Sequence, residues 1–362
     1  MRTIEEVIAR SWTKCGAQGD GDWRPLPDTA PDWRPFRECS KPIEAIAKQR
    51  EDAKSDRTDG PLSDDCVRFF DALWNDLTHW PTLCEHHRGH GPAHFHCYQI
   101  PPHKKNETWA DWRQKAAYTH SSNIWYSSSF LQASAHYSWR GGFLFPAFAA
   151  ALQSAIHKND QALTAAAGFQ ILKWGGVFRY KWSSGTKAWI VHHAVAGTLC
   201  QILSSATSLL TPYSNASLNG FGTTYLLDSG MTKVYAAVAI DLSNAVPAQD
   251  VLIYDARVGA ALGLLTRYYL EQSKSPRVPA AFLFPRDHSN RNRDPSKGAY
   301  RFPSLNSPRL LPPHRAAMTR FAAKCIQQLL KINGPSVEFI KAEQALFMMG
   351  YNVVRMCCGC SR

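Results

Sequence analysis

From about residue 107 onward, apolar side chains recur at the three- and four-residue intervals of a helix face, not at every second position. That spacing predicts helices over Glu107–Tyr118, Phe143–His157, Gln161–Trp174, Ala188–Leu210, Thr232–Ile240, Ala256–Glu271, Arg315–Ile332 and Val337–Met349. Upstream, Ser63–Trp80 is amphipathic. Asp64 and Asp65 fall in its first turn, where acids suit the helix dipole, and Val67, Phe70, Leu73, Trp74 and Leu77 share one face. Alternating patterns are scarce, with the Ser121–Ser129 region the best strand candidate. The predicted class is mainly α, with an irregular N-terminal extension over 1–106 and a helical domain over 107–362.

Within the extension, two short helical patterns, TIEEVIARSW and PIEAIAKQRED, flank the Pro- and Trp-rich GDWRPLPDTAPDWRPF. Its two DWRP copies are too short and too few for a solenoid and suit an extended arm. Residues 81–106 read as loop and contain CEHHRGHGPAHFHC, from Cys84 to Cys97. Thiolate and imidazole suit zinc, and tetrahedral closure needs four donors, for which Cys84, His90, His96 and Cys97 are the candidates. The spacing matches no regular zinc finger, so a metal-free polar loop is the alternative. A zinc here is expected to be structural; a catalytic metal for hydrolysis is the third reading. The C-terminal CCGCSR reads as a thiol-bearing tail or as a ligand set.

Charge alters the picture more than length does. Across 362 residues, 41 Lys and Arg oppose 29 Asp and Glu, a formal surplus of +12 that suggests a polyanionic partner, nucleic acid first. Aromatic residues are plentiful, with 12 Trp, 13 Tyr and 17 Phe, which excludes disorder along the whole chain. The most apolar stretch, Ala188–Leu203, is interrupted by His192 and His193, so no membrane span is expected. MRTIEEVIAR carries acids where an export signal needs an apolar core, so a cytoplasmic protein with reduced cysteines is expected.

Part of the surplus lies in a long polar loop at 284–315. There Arg286, Arg291, Arg293, Lys297, Arg301, Arg309 and Arg315 face only Asp287 and Asp294, and Tyr300 and Phe302 interleave. A phosphate-tracking, base-stacking arm uses that combination; a solvated loop without a partner is the alternative. Arg179, Lys181 and Lys187 form a smaller basic cluster beside Gly175 and Gly176, which end the Gln161–Trp174 helix.

The segment Leu226–Asp255, LLDSGMTKVYAAVAIDLSNAVPAQDVLIYD, places Lys233 in the first turn of one helix and Asp255 at the start of the next. Taken alone, Asp255 is a helix N-cap and Lys233 a solvated surface charge. Their order tells more. A hairpin between helices, a lysine opening the second, and an aspartate some twenty residues later resemble the helix-hairpin-helix DNA glycosylases. Their pattern is L-P-G-V-G-x-K followed by V-D-x-H-V. Here Leu227 to Lys233 reads LDSGMTK and Ile253 to Val258 reads IYDARV. Ser229 and Met231 stand where the family has glycine, and Gly230 is shifted by one position. The general look of this divergent, Cys- and Trp-rich chain is further similar to bacterial anti-phage glycosylases that excise α-glucosylated hydroxymethylcytosine.

The resemblance implies a helix-hairpin-helix core, with the hairpin at about 226–236, and no cofactor for catalysis. It implies that Asp255 stabilises a sugar cation and that Lys233 either attacks C1′ as an amine or leaves attack to water. Gly230, Thr232, Arg257, Arg291 and Arg293 would meet DNA, Arg257 at a phosphate-contacting position. In TPYSNASLNGFG, Tyr213, Asn215 and Asn219 are candidates for a pocket binding a sugar-bearing base. The expected partner is double-stranded DNA with modified bases, such as phage DNA, bound by a monomer. Lys233 and Asp255 are then expected to face one cleft. A non-catalytic nucleic-acid-binding protein with a structural zinc is the competing reading.

Overall fold

A computed structural model describes residues 96–99, 119–120, 124–127, 130–137, 139, 145–177, 185–243, 250–279, 282–286, 290–305, 307, 310–333 and 338–354. Among these the chain is mainly helical, as its periodicity predicts, and no helix is long and apolar enough to cross a membrane. The predicted helices Ser63–Trp80 and Glu107–Tyr118, the DWRP arm, the CCGCSR tail and the 106/107 boundary lie outside the described residues. The described chain divides into two compact units. One runs to Val251 and begins, among described residues, at Phe145; the other joins the described part of 96–139 to Leu252 onward.

Among the described residues, the second unit opens with three short strands, β1 (His96–Gln99), β2 (Thr119–His120) and β3 (Ile124–Ser127). They form an antiparallel sheet in the order β1-β3-β2, with Tyr98 opposite Trp125. β3 lies inside the Ser121–Ser129 candidate. Helix α1 (Phe130–Ala135) follows directly.

Among the described residues, five helices build the first unit: α2 (Phe145–His157), α3 (Gln161–Trp174), α4 (Thr186–Val195), α5 (Leu199–Leu210) and α6 (Met231–Ala239). The predicted Ala188–Leu210 helix is two helices. Gly197 takes φ +73, a left-handed conformation that a side chain resists, and the Gly197 and Thr198 N–H groups donate back to Ala194 and His193. Helix α6 is the centre of this unit. It packs against α2, α3 and α5, and Met231, Val234, Tyr235, Ala236 and Ala237 are fully buried. A helix enclosed on nearly every side needs its terminal carbonyls satisfied from within. Gln153 does this, its Nε2 donating to Ala237 at 2.9 Å and to Ile240 at 2.7 Å.

The second unit continues with α7 (Ala256–Gln272), α8 (Pro312–Asn333) and α9 (Phe339–Met349). Val258, Ala261, Leu262 and Leu265 of α7 join Phe321 and Ile326 of α8 and Leu346 and Met349 of α9 in one core. Sheet residues close the end of α9. The Tyr98 hydroxyl donates to Met348, and His96 Nε2 donates to the carbonyls of Met349 and Asn352, both at 3.1 Å. Burial holds that imidazole neutral, its pKa lowered to about 4.

Candidate functional site

Lys233 belongs to the first unit and Asp255 to the second. Each sits at a helix start, and each environment can be built up separately.

Helices α5 and α6 are joined by the long connection Thr211–Gly230 and not by a short hairpin. Its first part is an exposed loop carrying Tyr213, which is 56% exposed, and Asn215 and Asn219. These three pocket candidates lie on the surface of the first unit. Gly220–Tyr225 then folds into a tight turn around the buried Phe221, with Gly222 N–H donating to the Tyr225 carbonyl.

The last turn before α6 is organised by a residue outside the predicted set. Asp228 Oδ1 accepts the N–H groups of Gly230 and Met231, both at 2.8 Å, and Oδ2 accepts the hydroxyl of Thr186 at the start of α4. Backbone N–H groups at a helix start are a natural anion seat. Here the chain's own carboxylate fills it, so Gly230 has no N–H left over for a phosphate. Thr232 is also committed: it is buried, its N–H donates to the Asp228 carbonyl and its hydroxyl to Ser229. The signal was present in the sequence, because Asp-Ser-Gly before a helical pattern marks a side-chain-closed turn. Counting family glycines passes over it.

Lys233 is not a solvated surface charge. It is 5% exposed, and its Nζ donates to the Ser229 carbonyl at 2.8 Å, a bond that both an amine and an ammonium can make. Room for its stem comes from Gly175, where a Cβ would overlap Lys233 Cδ and Cε. Gly175 thus does more than cap α3. Nearby in sequence to Thr186, Lys187 is buried as well, and desolvation lowers its pKa to about 8.

In the second unit Asp255 is 7% exposed and caps α7, as Asp before a strong helix should. Oδ1 accepts the N–H groups of Arg257 at 2.8 Å and Val258 at 3.0 Å, while Oδ2 faces Arg257 Nη1 at 3.3 Å. The helix N-terminus and the guanidinium both favour an anion here. Arg257 does not extend outward as a phosphate-contacting residue would. Its guanidinium carbon lies 4.4 Å from the Tyr351 ring centroid, 4.5 Å from that of Phe347 and 5.8 Å from that of Trp139. Burial opposes the charge of Arg257, but Tyr351 and Asp255 offset it and hold its pKa above the ordinary value.

The basic segment is a folded part of the second unit. Phe302 is buried, and the Tyr300 hydroxyl donates to Leu270 at 3.3 Å and Ser275 at 2.7 Å, pinning it to the end of α7. Both rings are therefore spent on the fold. Arg286 pairs with Asp294 at 2.7 Å, and Arg293 is half-buried in a 3-10 turn, Arg291–Arg293. Arg291, Lys297 and Arg301 remain exposed. Arg309 and Asp287 lie outside the described residues.

Of the candidate zinc ligands, Cys84 and His90 also lie outside the described residues, and Cys97 is described only as a backbone position of β1. His96 is committed to α9. Among the described residues no group of three His, Cys, Asp or Glu side chains is arranged to hold a metal.

No protein-family model matches the chain, and neither a characterised protein nor a solved structure is detectably similar to it.

Proposed function

We propose that the protein is a DNA glycosylase that breaks the N-glycosidic bond of a modified base, with Asp255 as its indispensable carboxylate. The observation that carries this reading is Asp255 itself. It is a buried carboxylate held by two backbone N–H groups and a guanidinium, in the segment whose order resembles the glycosylase pattern. A buried charge is expensive unless it is paired, and a cap needs no arginine behind it.

In duplex DNA the scissile bond is out of reach, so the base leaves the stack before chemistry. The C1′–N bond breaks with its electron pair departing on the base, and positive charge develops on the sugar. A fixed anion stabilises that charge at the moment it forms. Water then bonds through oxygen to C1′, and the proton it loses ends on the departed base. The resemblance implies a second route, through Lys233. As a neutral amine it would bond to C1′ in place of water and lose a proton; the C1′–O4′ bond then breaks, O4′ takes up a proton, and the imine that forms leads on to strand cleavage. The exposed Arg291, Lys297 and Arg301 supply positive charge for the phosphates. A bulky sugar-bearing base, as in glucosylated phage DNA, is the substrate class the resemblance favours.

The test is incubation with duplexes carrying different cytosine modifications, followed by abasic-site detection and borohydride trapping. Release of one modified base by wild type and its loss in Asp255→Asn are expected. Full release by Asp255→Asn would remove Asp255 from the mechanism. Salt-sensitive binding with no abasic product from any duplex would leave a nucleic-acid-binding protein in place of an enzyme.

A further inference from the structure

Capping α7 needs only the two N–H groups on Asp255 Oδ1. Asp160 caps α3 with a single bond from Leu163 N–H at 2.9 Å. What distinguishes Asp255 is the construction around its other oxygen. Arg257 Nη1 stands 3.3 Å from Oδ2, and the guanidinium is enclosed by Trp139, Phe347 and Tyr351, which come from two distant stretches of chain. Gly350 lets the end of α9 approach the Arg257 backbone so closely that a Cβ there would overlap its carbonyl. Ring faces attract a guanidinium and also block its rotation, so its position is set by packing.

Of the ionisable groups that interact with Asp255, Arg257 is the cation. From α7 comes Arg257, and next to Asp255 lies Tyr254, whose hydroxyl donates to Pro285. Tyr137, after α1, and Tyr351, after α9, also interact with Asp255; Glu343 of α9, whose Oε2 accepts the Ile253 N–H at 2.7 Å, interacts with Tyr137, and Arg293 of the 3-10 turn with Tyr351. Burial raises the pKa of each phenol and keeps it neutral, so the charge set against the carboxylate is that of Arg257.

We propose that Arg257 is a positioning residue for base excision: held by Trp139, Phe347 and Tyr351, it keeps the Asp255 carboxylate ionised and aimed, and it contacts no DNA phosphate. The proposal rests on the glycosylase reading for the reaction it serves. Its content about the Asp255–Arg257 pair can be measured without that reaction.

The experiment uses the full chain as wild type, Arg257→Met and Arg257→Lys. Base release at saturating protein is followed across pH, together with DNA affinity against salt and the Asp255 carboxyl titration by carbon NMR. Arg257→Met is expected to slow release by about 100-fold, the cost of a misplaced catalytic group. The acid limb of its profile and the Asp255 titration should both move up by about one pH unit or more, since a lost cation favours the neutral acid. DNA affinity should not change. Arg257→Lys should recover part of the rate, because it restores charge without the planar fork. The opposite pattern overturns the proposal: weaker DNA binding, a salt slope reduced by about one ion, and an unchanged rate at saturation. If wild type releases no base, the glycosylase reading fails, and an unmoved Asp255 titration in Arg257→Met would then dispose of the pair as well. Should Arg257→Met fail to fold, Arg257→Lys decides by the same measurements, an unaltered rate, profile and titration counting against the proposal.

Discussion

Asp228 and Asp255 are the same device up to a point. Each closes a helix start by taking two backbone N–H groups on one oxygen. They differ at the second oxygen. That of Asp228 is tied to the hydroxyl of Thr186 and joins two helices of the first unit; that of Asp255 faces a guanidinium held among rings. A hydroxyl fastens a carboxylate without balancing its charge, whereas a fixed cation balances the charge. The first arrangement suits architecture and the second suits chemistry, although both residues look alike as caps in the sequence.

Substitutions can break this contrast. The largest effect is expected from Asp255→Asn, which should reduce base release by about 1,000-fold through loss of the stabilising anion. Thermal stability should fall as well, because Asn keeps the cap but leaves the enclosed Arg257 guanidinium without its counter-ion. Lys233→Met keeps most of the buried volume and removes the amine; a loss of release of about 100-fold is expected, with no borohydride-trapped adduct. In Gly175→Ala the new methyl displaces the Lys233 stem, and about a 10-fold loss accompanied by about 1–2 kcal/mol of destabilisation is expected from kinetics and urea unfolding. Asp228→Ala should part from Asp255→Asn in the rate: about 1–2 kcal/mol less stable, with release per folded molecule within about 3-fold of wild type.

The smallest expected effect concerns pH. The buried Lys187 has its pKa lowered from 10.5 to about 8, so both folded and unfolded chains hold the proton below that lower value. As pH rises from about 8 towards 10.5, the folded chain releases it first, the unfolded chain binds more protons, and stability increases. Urea unfolding near the two ends of that window should show the increase in wild type and its absence in Lys187→Met.

Much of the helical layout was legible in advance because amphipathic spacing is local information. Helix α3 spans the predicted Gln161–Trp174, and α7 differs from its prediction by one residue. The break at Gly197 escaped because apolar spacing continues across it; only a backbone angle reveals the change of direction. Tyr300 and Phe302 read as stacking rings because their sequence neighbours are cations, yet Tyr300 is fixed by the end of α7, some thirty residues upstream, and Phe302 is buried. Arg257 is the sharpest case. Its partner Asp255 is two positions away and visible, but Trp139, Phe347 and Tyr351 lie far along the chain in both directions, and no local pattern announces an enclosure built from such pieces.

The anchoring of the basic segment has a thermodynamic consequence. A mobile arm must surrender conformational freedom when it grips a polyanion, and that loss is charged against affinity. Arg291, Lys297 and Arg301 stand on backbone already fastened through Tyr300, Phe302 and the Arg286–Asp294 pair, so this ordering takes place when the protein folds. Association through these cations should therefore carry little heat-capacity change beyond that of the surface it buries, unlike a segment that folds on contact.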